Sequence, residues 1–350
     1  MCVINIIHRV IYLKKVFSTM CIILAVACIL CFSVIRETVP SAIEMCVTSL
    51  IPSVFIFTVL SSVIIDCGLP SFLVKHISCV FNRIFGISQC SAIAVLLGWT
   101  AGFPVGANSV QKLYTDGHIS RDEAEYLLSF CSVSGISFVF GVIGGVVYDN
   151  MKISLLLYTI QIFSSVAVGI IMKGASKNIQ DVHFGSKRDF NISETIVSSV
   201  KSGVKSTAYI CGYVILFSVL CNLIVYIFPS VPEFPIRAAL EMTSSSLMLR
   251  DFPFKVSLIL ASALLSWSGM CIHLQIHNCV KNISMKKYYI GKALHVGISS
   301  LITVLIPISD NVCTYRECVS VNYRDNYPNM FFLIIFFVVL GCFFLKNDVK

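Results

Sequence analysis

Residues 98–109 read GWTAGFPVGANS and follow the apolar run SAIAVLL at 91–97. Glycine allows backbone geometry that other residues avoid, and proline cannot continue a helical hydrogen-bond ladder. The cluster therefore predicts a break inside an apolar segment, with Gly102, Pro104 and Gly106 at the tip of a helical hairpin. Within a membrane such a break is tolerated only where it is buried in protein or lines a wet cavity. The alternative is an unbroken helix that packs through its small residues, because Gly98, Gly102 and Gly106 lie four apart.

The composition is that of a polytopic membrane protein. Of 350 residues, 57% are hydrophobic and only 13% are charged, and the mean hydropathy is +0.87. Soluble domains carry about 25% charged residues, and a bilayer span needs about 20 apolar ones. We therefore predict an all-α fold of about eight transmembrane helices plus two non-spanning dips. The predicted spans are 16–35, 42–66, 123–148, 153–172, 206–228, 254–276, 288–308 and 331–345.

The net charge of +8 comes from basic residues that lie between the apolar runs. This is the pattern of the positive-inside rule rather than of a nucleic-acid surface, so we expect no nucleic-acid partner. Arg9, Lys14 and Lys15 place the amino terminus inside. The first apolar run resembles a signal peptide, but no small-residue cleavage site follows at RETVPS, which favours a retained helix.

The sidedness of the basic loop 173–205 decides how 88–111 crosses the membrane. The segment 70–85 alternates apolar and basic residues, and we predict an amphipathic helix on the inner surface. If 88–111 spanned the bilayer, the strongly basic loop 173–205 would lie outside, against the positive-inside rule. The number of membrane crossings needed to keep this loop inside therefore predicts that 88–111 is re-entrant, entering and leaving on the inner side.

The second half contains a matching dip that enters from the opposite face. The stretch AALEMTSSSLML at 238–249 is too apolar for a loop and too short and polar to span. We predict that it enters from the outer side, and that the carboxyl terminus returns inside.

Each half of the chain has a spanning helix, a dip and a helix interrupted by Ser-Gly. The interruptions are FCSVSGISF at 130–138 and LSWSGMCIH at 265–273. Inverted repeats with discontinuous helices are typical of secondary transporters. The predicted units are an anchor helix, a first repeat, a basic cytoplasmic loop, a second repeat and an outer loop with a last helix, spanning 1–39, 40–172, 173–205, 206–310 and 311–350.

The stretch GFPVGANSVQKLYTDGHISRDEAEYLLSFCSVSGISFVFG resembles the signature of the sporulation integral membrane protein YlbJ family. In the second half, LEMTSSS at 240–246 and SWSGMCIHLQ at 266–275 are similar to further motifs of that family. Asn108 departs from the usual Lys, Ile136 from Pro, and Ser245 or Ser246 from Gly. The matching residues of the first motif are Gly102, Pro104, Gly106, Ala107, Gly117, Ile119, Ser120, Glu123, Ala124, Leu127, Phe130, Ser134, Gly135 and Phe138.

The resemblance covers roughly residues 40–310 and implies a nucleoside-recognition, or Gate, domain. Such a domain is related to those of concentrative nucleoside transporters and ferrous-iron transport proteins. It also implies a spore-forming Gram-positive source. The departures put a shared substrate in doubt more than a shared fold.

Glu241 is the sharpest candidate for solute binding, because a carboxylate inside an apolar dip usually faces a cavity or a partner. The alternative is an outer loop in which Glu241 meets water. Ser132, Ser134 and Ser137, with Ser266, Ser268 and Gln275, are expected to line the facing broken helices, unless they only pack helices together.

The sequence gives little support for metal binding or for enzymatic catalysis. His273 and His277 lie four apart but lack nearby carboxylates, so we expect no metal site. Cys28 and Cys31 fall inside the first apolar run, whereas Cys313 and Cys318 could pair on an oxidising side. We expect neither a catalytic residue nor a cofactor.

The predicted function is secondary transport or permeation of a small polar solute, with a possible coupling ion, by a multi-pass protein of the cell membrane. The alternative is a non-transporting scaffold or partner subunit for spore-envelope assembly; a homo-oligomer or a membrane partner is compatible with both. The candidate binding residues are Gly102, Pro104, Gly106, Asn108, Ser134, Gly135, Glu241, Thr243, Ser244, Ser268, Gly269 and Gln275.

Overall fold

A computed structural model describes residues 2–67, 71–173 and 191–307 of the protein. All regular structure in these ranges is helical, and no strand occurs within them. The all-α prediction is therefore confirmed. The predicted span 331–345, the pair Cys313 and Cys318, and residues 174–190 of the basic loop lie outside the described residues.

The amino-terminal region bends earlier than expected. Helix α1 (Cys2–Leu30) meets α2 (Phe32–Met45) at Cys31, where the chain turns by 94°. We expected the two helices to be separated near RETVPS, but this stretch is helical despite Pro40. A proline removes only one amide donor, and α2 is held along α9. A π-helical turn (Cys46–Leu50) then leads into α3 (Ile51–Cys67).

Helix α4 (Ser71–Phe85) forms where an amphipathic helix was predicted, and a 93° bend separates it from α5 (Gln89–Ala101). Gly86 adopts a φ of +69° at this bend, a conformation that glycine reaches without steric cost. Ser88 begins α5 by accepting a hydrogen bond from the backbone amide of Ser91.

The quoted cluster forms a sharp helical hairpin. Gly102, at a φ of +95°, ends α5 and begins α6 (Phe103–Thr115), and Pro104 lies in the first turn of α6, where its missing amide costs nothing. A Cβ on Gly106 would lie only 2.8 Å from the Cα of Gly98, so the two arms meet backbone to backbone. The glycines therefore provide both the break and a close helix contact, which the sequence had offered as alternatives.

The first interrupted helix has the predicted break. Helix α7 (Arg121–Cys131) ends before an unwound stretch at 132–135, and a π-helical segment (Ser137–Tyr148) follows. Buried Glu123 accepts hydrogen bonds from the Ser88 amide at 3.0 Å and the Ser91 hydroxyl at 2.6 Å, which ties the start of α7 to the start of α5. Helix α8 (Met151–Met172) closes the first half.

The second half begins with a helix longer than predicted. Helix α9 (Ile192–Ile227) has 36 residues and takes up part of what we expected to be the loop 173–205. Asn191 starts it by accepting hydrogen bonds from the amides of Ser193 and Glu194. The remaining helices are α10 (Glu233–Leu240), α11 (Met242–Leu247), a 3₁₀ turn (Met248–Asp251), α12 (Phe254–Trp267), α13 (Gly269–Cys279) and α14 (Lys286–Leu305).

Buried polar side chains connect the helices within a largely apolar core, and large apolar side chains also cover the outside of the bundle. The Gln161 amide of α8 donates to the Ser266 hydroxyl at 2.9 Å, and Ser266 is 2.7 Å from the Ser299 hydroxyl. Large apolar side chains such as Phe163 and Leu301 are exposed. Buried hydroxyl and amide contacts between helices are a common way to join helices in a bilayer.

Four helical stretches of the described part are long and apolar enough to cross a membrane: α8, α9, α12 with α13, and α14. The number rises to six if each of the two bent pairs counts as one span. The prediction of about eight spans included one beyond the described residues and two that correspond to shorter helical segments. These are α3, with 17 residues, and the π-helical segment, with 12.

Candidate functional site

The helix breaks of each half meet in the same way. A Cβ on Gly102 would lie 2.7 Å from the backbone nitrogen of Gly135, so the hairpin tip touches the Ser-Gly break of its own half. In the second half, a Cβ on Gly269 would lie 3.0 Å from the Leu240 carbonyl oxygen and 3.2 Å from the Glu241 nitrogen. The Gly102 contact leaves no room for a side chain, and the Gly269 contact is tighter than an ordinary Cβ contact. The predicted breaks are therefore packed in pairs.

Ser134 links the two pairs of breaks. Its hydroxyl donates to the carbonyl oxygen of Leu265 at 2.9 Å, and its Oγ lies 3.9 Å from the Met242 sulfur. The backbone of α12 and the start of α11 are thereby joined to the unwound stretch of the first half. The two halves meet at the positions where the sequence placed the breaks.

Glu241 caps α11 rather than facing open space. It is 2% exposed, and its carboxylate oxygens accept hydrogen bonds from the backbone amides of Thr243 and Ser244, each at 2.7 Å. Amides in the first turn of a helix have no partner within the helix, and a carboxylate satisfies them with favourable charge. Glu241 thus has a complete structural role within the protein.

Lys292 is a buried charge that the sequence analysis missed. It lies on α14, is 2% exposed, and donates to the carbonyl oxygens of Ser132 at 2.8 Å and Ser266 at 3.0 Å. Its nitrogen is 3.4 Å from the Ser268 hydroxyl and 4.5 Å from the centre of the Phe103 ring. Predicted residues of both halves therefore surround a cation that belongs to neither break.

Several other predicted residues have local roles. The Asn108 amide donates to the Ser206 hydroxyl at 3.3 Å, which joins α6 to α9. The Gln275 amide donates to the Cys271 sulfur within α13, and its buried carbonyl oxygen has no hydrogen-bond partner among the described residues.

His273 and His277 lie in different surroundings. The Nδ1 of buried His273 lies 2.6 Å from the Tyr288 hydroxyl, whereas His277 is exposed. Within the described ranges, no three His, Cys, Asp or Glu side chains are grouped so that they could hold a metal ion.

A cavity of about 750 Å³ opens beside the break in the second half. Its walls combine valines of α2, α9 and the π-helical segment with polar side chains of α2, α9, α10 and α11. Thr243 and Ser244, two of the predicted binding residues, lie in this wall. The other polar groups are Glu37, Thr38, Ser41, Glu44, Thr48, Ser218, Asn222 and Arg237.

One side of the cavity is fixed by a chain of hydrogen bonds. The Arg237 guanidinium donates to Glu233 at 2.6 Å and to the Asn222 carbonyl oxygen, and the Asn222 amide donates to the Thr38 hydroxyl at 2.7 Å. On another side, the buried hydroxyl oxygens of Ser218 and Ser244 have no hydrogen-bond partner in the described structure. The cavity therefore presents both ordered and unsatisfied polar groups, and its size suits a small-molecule site.

Comparison with known proteins tests the family resemblance that the sequence motifs predict. The chain is 22% identical over 298 residues to the sporulation integral membrane protein YlbJ of Bacillus subtilis (strain 168), which covers 73% of each chain. The predicted resemblance to the YlbJ family is confirmed. No family model matches the chain, and no solved structure matches it. Together with the apolar helices, the similarity to YlbJ indicates a multi-pass membrane protein in a lipid bilayer.

Proposed function

We propose that the protein carries a small polar solute across the membrane of a sporulating cell, and that the cavity beside α11 is its solute site. The cavity carries this proposal, because it places the Thr243 and Ser244 hydroxyls beside a broken helix. Broken helices next to a polar site are how many secondary transporters hold their solutes. The similarity to a sporulation protein supports the cellular setting.

The unsatisfied hydroxyls favour a solute that can hydrogen-bond. Buried polar groups nearly always have a partner, and each exception requires an explanation. Here a bound solute would pair with Ser218 and Ser244, one from α9 and one from α11. The valines between them, such as Val142 and Val225, would cover an apolar part of the same molecule.

In this proposal the two dips are re-entrant and the halves form an inverted repeat within about eight spans, with both termini in the cytoplasm. The paired contacts of Gly102 with Gly135 and of Glu241 with Gly269 support such a repeat. The Gate domain implied by the family resemblance supports a nucleoside-like solute. Ser268 and Gly269 hold the helices together in this scheme, and solute contact falls to Thr243 and Ser244.

The test is uptake by the purified full chain in proteoliposomes, with nucleosides, sugars and amino acids as labelled probes. Replacing Ser244 or Ser218 by Ala should lower uptake of the accepted solute about two- to tenfold, since one hydrogen bond contributes about 0.5–1.5 kcal/mol. Ser245→Ala is the matched control, because its hydroxyl bonds to the Glu241 and Met242 carbonyl oxygens and does not line the cavity.

Glu241→Gln should abolish uptake at normal expression, since it loosens the cap that positions Thr243 and Ser244. Absence of flux for every probe, together with a stably co-purifying membrane partner, would contradict transport and favour the scaffold function. Equal losses in the Ser244 and Ser245 variants would contradict the placement of the site.

A further inference from the structure

The nitrogen of Lys292 has three acceptors for its three hydrogens. Two are the carbonyl oxygens of Ser132 and Ser266, and the third is the Ser268 hydroxyl. That hydroxyl donates its own hydrogen to the Leu265 carbonyl oxygen at 3.2 Å, so its lone pairs face Lys292. An ammonium ion has three hydrogens, one for each of these acceptors, so the geometry suits an ammonium ion.

The acceptors lie at the carboxyl ends of two helices. Ser132 directly follows α7, and Ser266 is in the last turn of α12. Carbonyl groups at such ends have no partner within the helix and carry a partial negative charge. The face of the Phe103 ring adds a further attraction for a cation.

Helix ends, rather than a carboxylate, balance this charge. Two ion pairs of the described residues are Arg121 with Glu125 and Arg237 with Glu233, and no such pair is seen for Lys292 in the described part of the chain. A buried cation without a carboxylate needs strong dipoles around it. The surroundings of Lys292 therefore have the composition of a cation site built only from oxygen ligands and an aromatic face.

We propose that Ser132, Ser266 and Ser268 form a monovalent-cation site, and that the ammonium of Lys292 is its tethered occupant. Broken helices of membrane transporters present the same groups, unwound carbonyls and helix carboxyl ends, to free cations. Here α14 supplies the cation on a side chain and so joins the break of α7 to the break of α12–α13. The site is separate from the cavity and does not depend on solute transport.

The experiment removes the tethered cation and offers free ones. Lys292→Ala empties the site, and Lys292→Met removes the charge while filling most of the space. Thermal unfolding of each purified full-length variant in detergent is measured in sodium, ammonium, methylammonium and choline chlorides at equal ionic strength. Lys255→Ala is the matched control, because its ammonium caps α14 through the Thr303 and Ile306 carbonyl oxygens at 3.0 and 2.6 Å, half-buried at a single helix end.

The expected result is that the unfolding midpoint of Lys292→Ala rises in a small cation relative to choline. Lys292→Met, Lys255→Ala and the unchanged protein should show no such difference. A Lys292→Ala midpoint that is the same in all four salts overturns the proposal, as does an equal response in Lys255→Ala.

A second measurement holds even if Lys292→Ala fails to fold. In the protein labelled with ¹⁵N-lysine, the Lys292 nitrogen is assigned by its absence in Lys292→Met. Its chemical shift and its coupling to three hydrogens should identify an ammonium group at neutral pH. A neutral amine at that position would overturn the proposal.

Discussion

Glu241 and Lys292 are both almost fully buried, yet opposite ends of helices hold them. The Glu241 carboxylate accepts hydrogen bonds from the first amides of α11, whereas the Lys292 ammonium donates to carbonyl groups at the ends of α7 and α12. The amino end of a helix is partly positive and its carboxyl end partly negative. Each charge therefore lies at the helix end that suits its sign.

The difference between the two sites lies in what they connect. Glu241 stabilises the short helix that follows it in the chain, and its partners are two and three residues away. Lys292 joins residues that are 160 and 26 positions distant in sequence. A charge of the first kind holds local structure, and one of the second kind holds the assembly of the two halves.

Charge reversal at Lys292 should have the largest effect. In Lys292→Glu a carboxylate would face the carbonyl oxygens of Ser132 and Ser266 with nothing to donate, and an unpaired buried charge costs about 3–5 kcal/mol. We expect little folded protein in membranes, measured by the fraction that elutes as a single species after detergent extraction.

The double variant Glu241→Lys with Lys292→Glu tests whether the two charges act independently. If helix ends hold each charge separately, the swap cannot restore stability, and the two losses should add. Recovery of folded protein in the double variant would show instead that the two charges stabilise the fold by attracting each other.

The contrast also explains what could be predicted from sequence. The breaks near Gly102, Ser134 and Ser268 were predicted because Gly, Pro and Ser-Gly interrupt apolar runs, and that signal is local. Lys292 gives no local signal: in YYIGKALHVG it resembles a basic residue flanking a membrane helix. Only the meeting of α14 with two distant helix ends makes it a central residue.

The ends of α2 and α9 were also hard to predict, because they depend on contacts between distant parts of the chain. Pro40 suggested a loop near RETVPS, but contact with α9 keeps that stretch helical, and α9 itself extends into the expected basic loop. Propensity describes the isolated segment, whereas packing decides the outcome. The predicted number of spans depends on the same helix ends, so packing decides it as well.

An intermediate effect is expected at Glu241. Glutamine has the same length, but it keeps a single acceptor oxygen and turns its amide group toward a backbone amide. The loss of a charged cap should lower the free energy of unfolding by about 1–2 kcal/mol.

The control for this prediction is Glu241→Asp, which retains the charge in a residue type common at helix starts. Chemical denaturation in detergent should place it between Gln and the unchanged protein. If Gln and Glu are equally stable, the carboxylate has a role other than capping.

The smallest effect is expected at Ser268, which both adopts a strained backbone conformation at the helix break and contacts Lys292. Its φ of +75° is unfavourable for any side chain, so Ser268→Gly relieves about 1 kcal/mol while it removes the 3.4 Å contact with Lys292. We expect these effects nearly to cancel. Ser268→Ala keeps the strain and loses the contact, and should unfold at a lower temperature than the glycine variant; the reverse order would show that the positive φ is not strained at this position.

The direct meeting of Gly98 with Gly106 has a mechanical consequence. Since the arms α5 and α6 touch through their backbones, nothing can pass between them unless the two helices separate. Any rearrangement of the protein would have to move the hairpin of α5 and α6 as one rigid body against Gly135, which its tip contacts in the unwound stretch after α7.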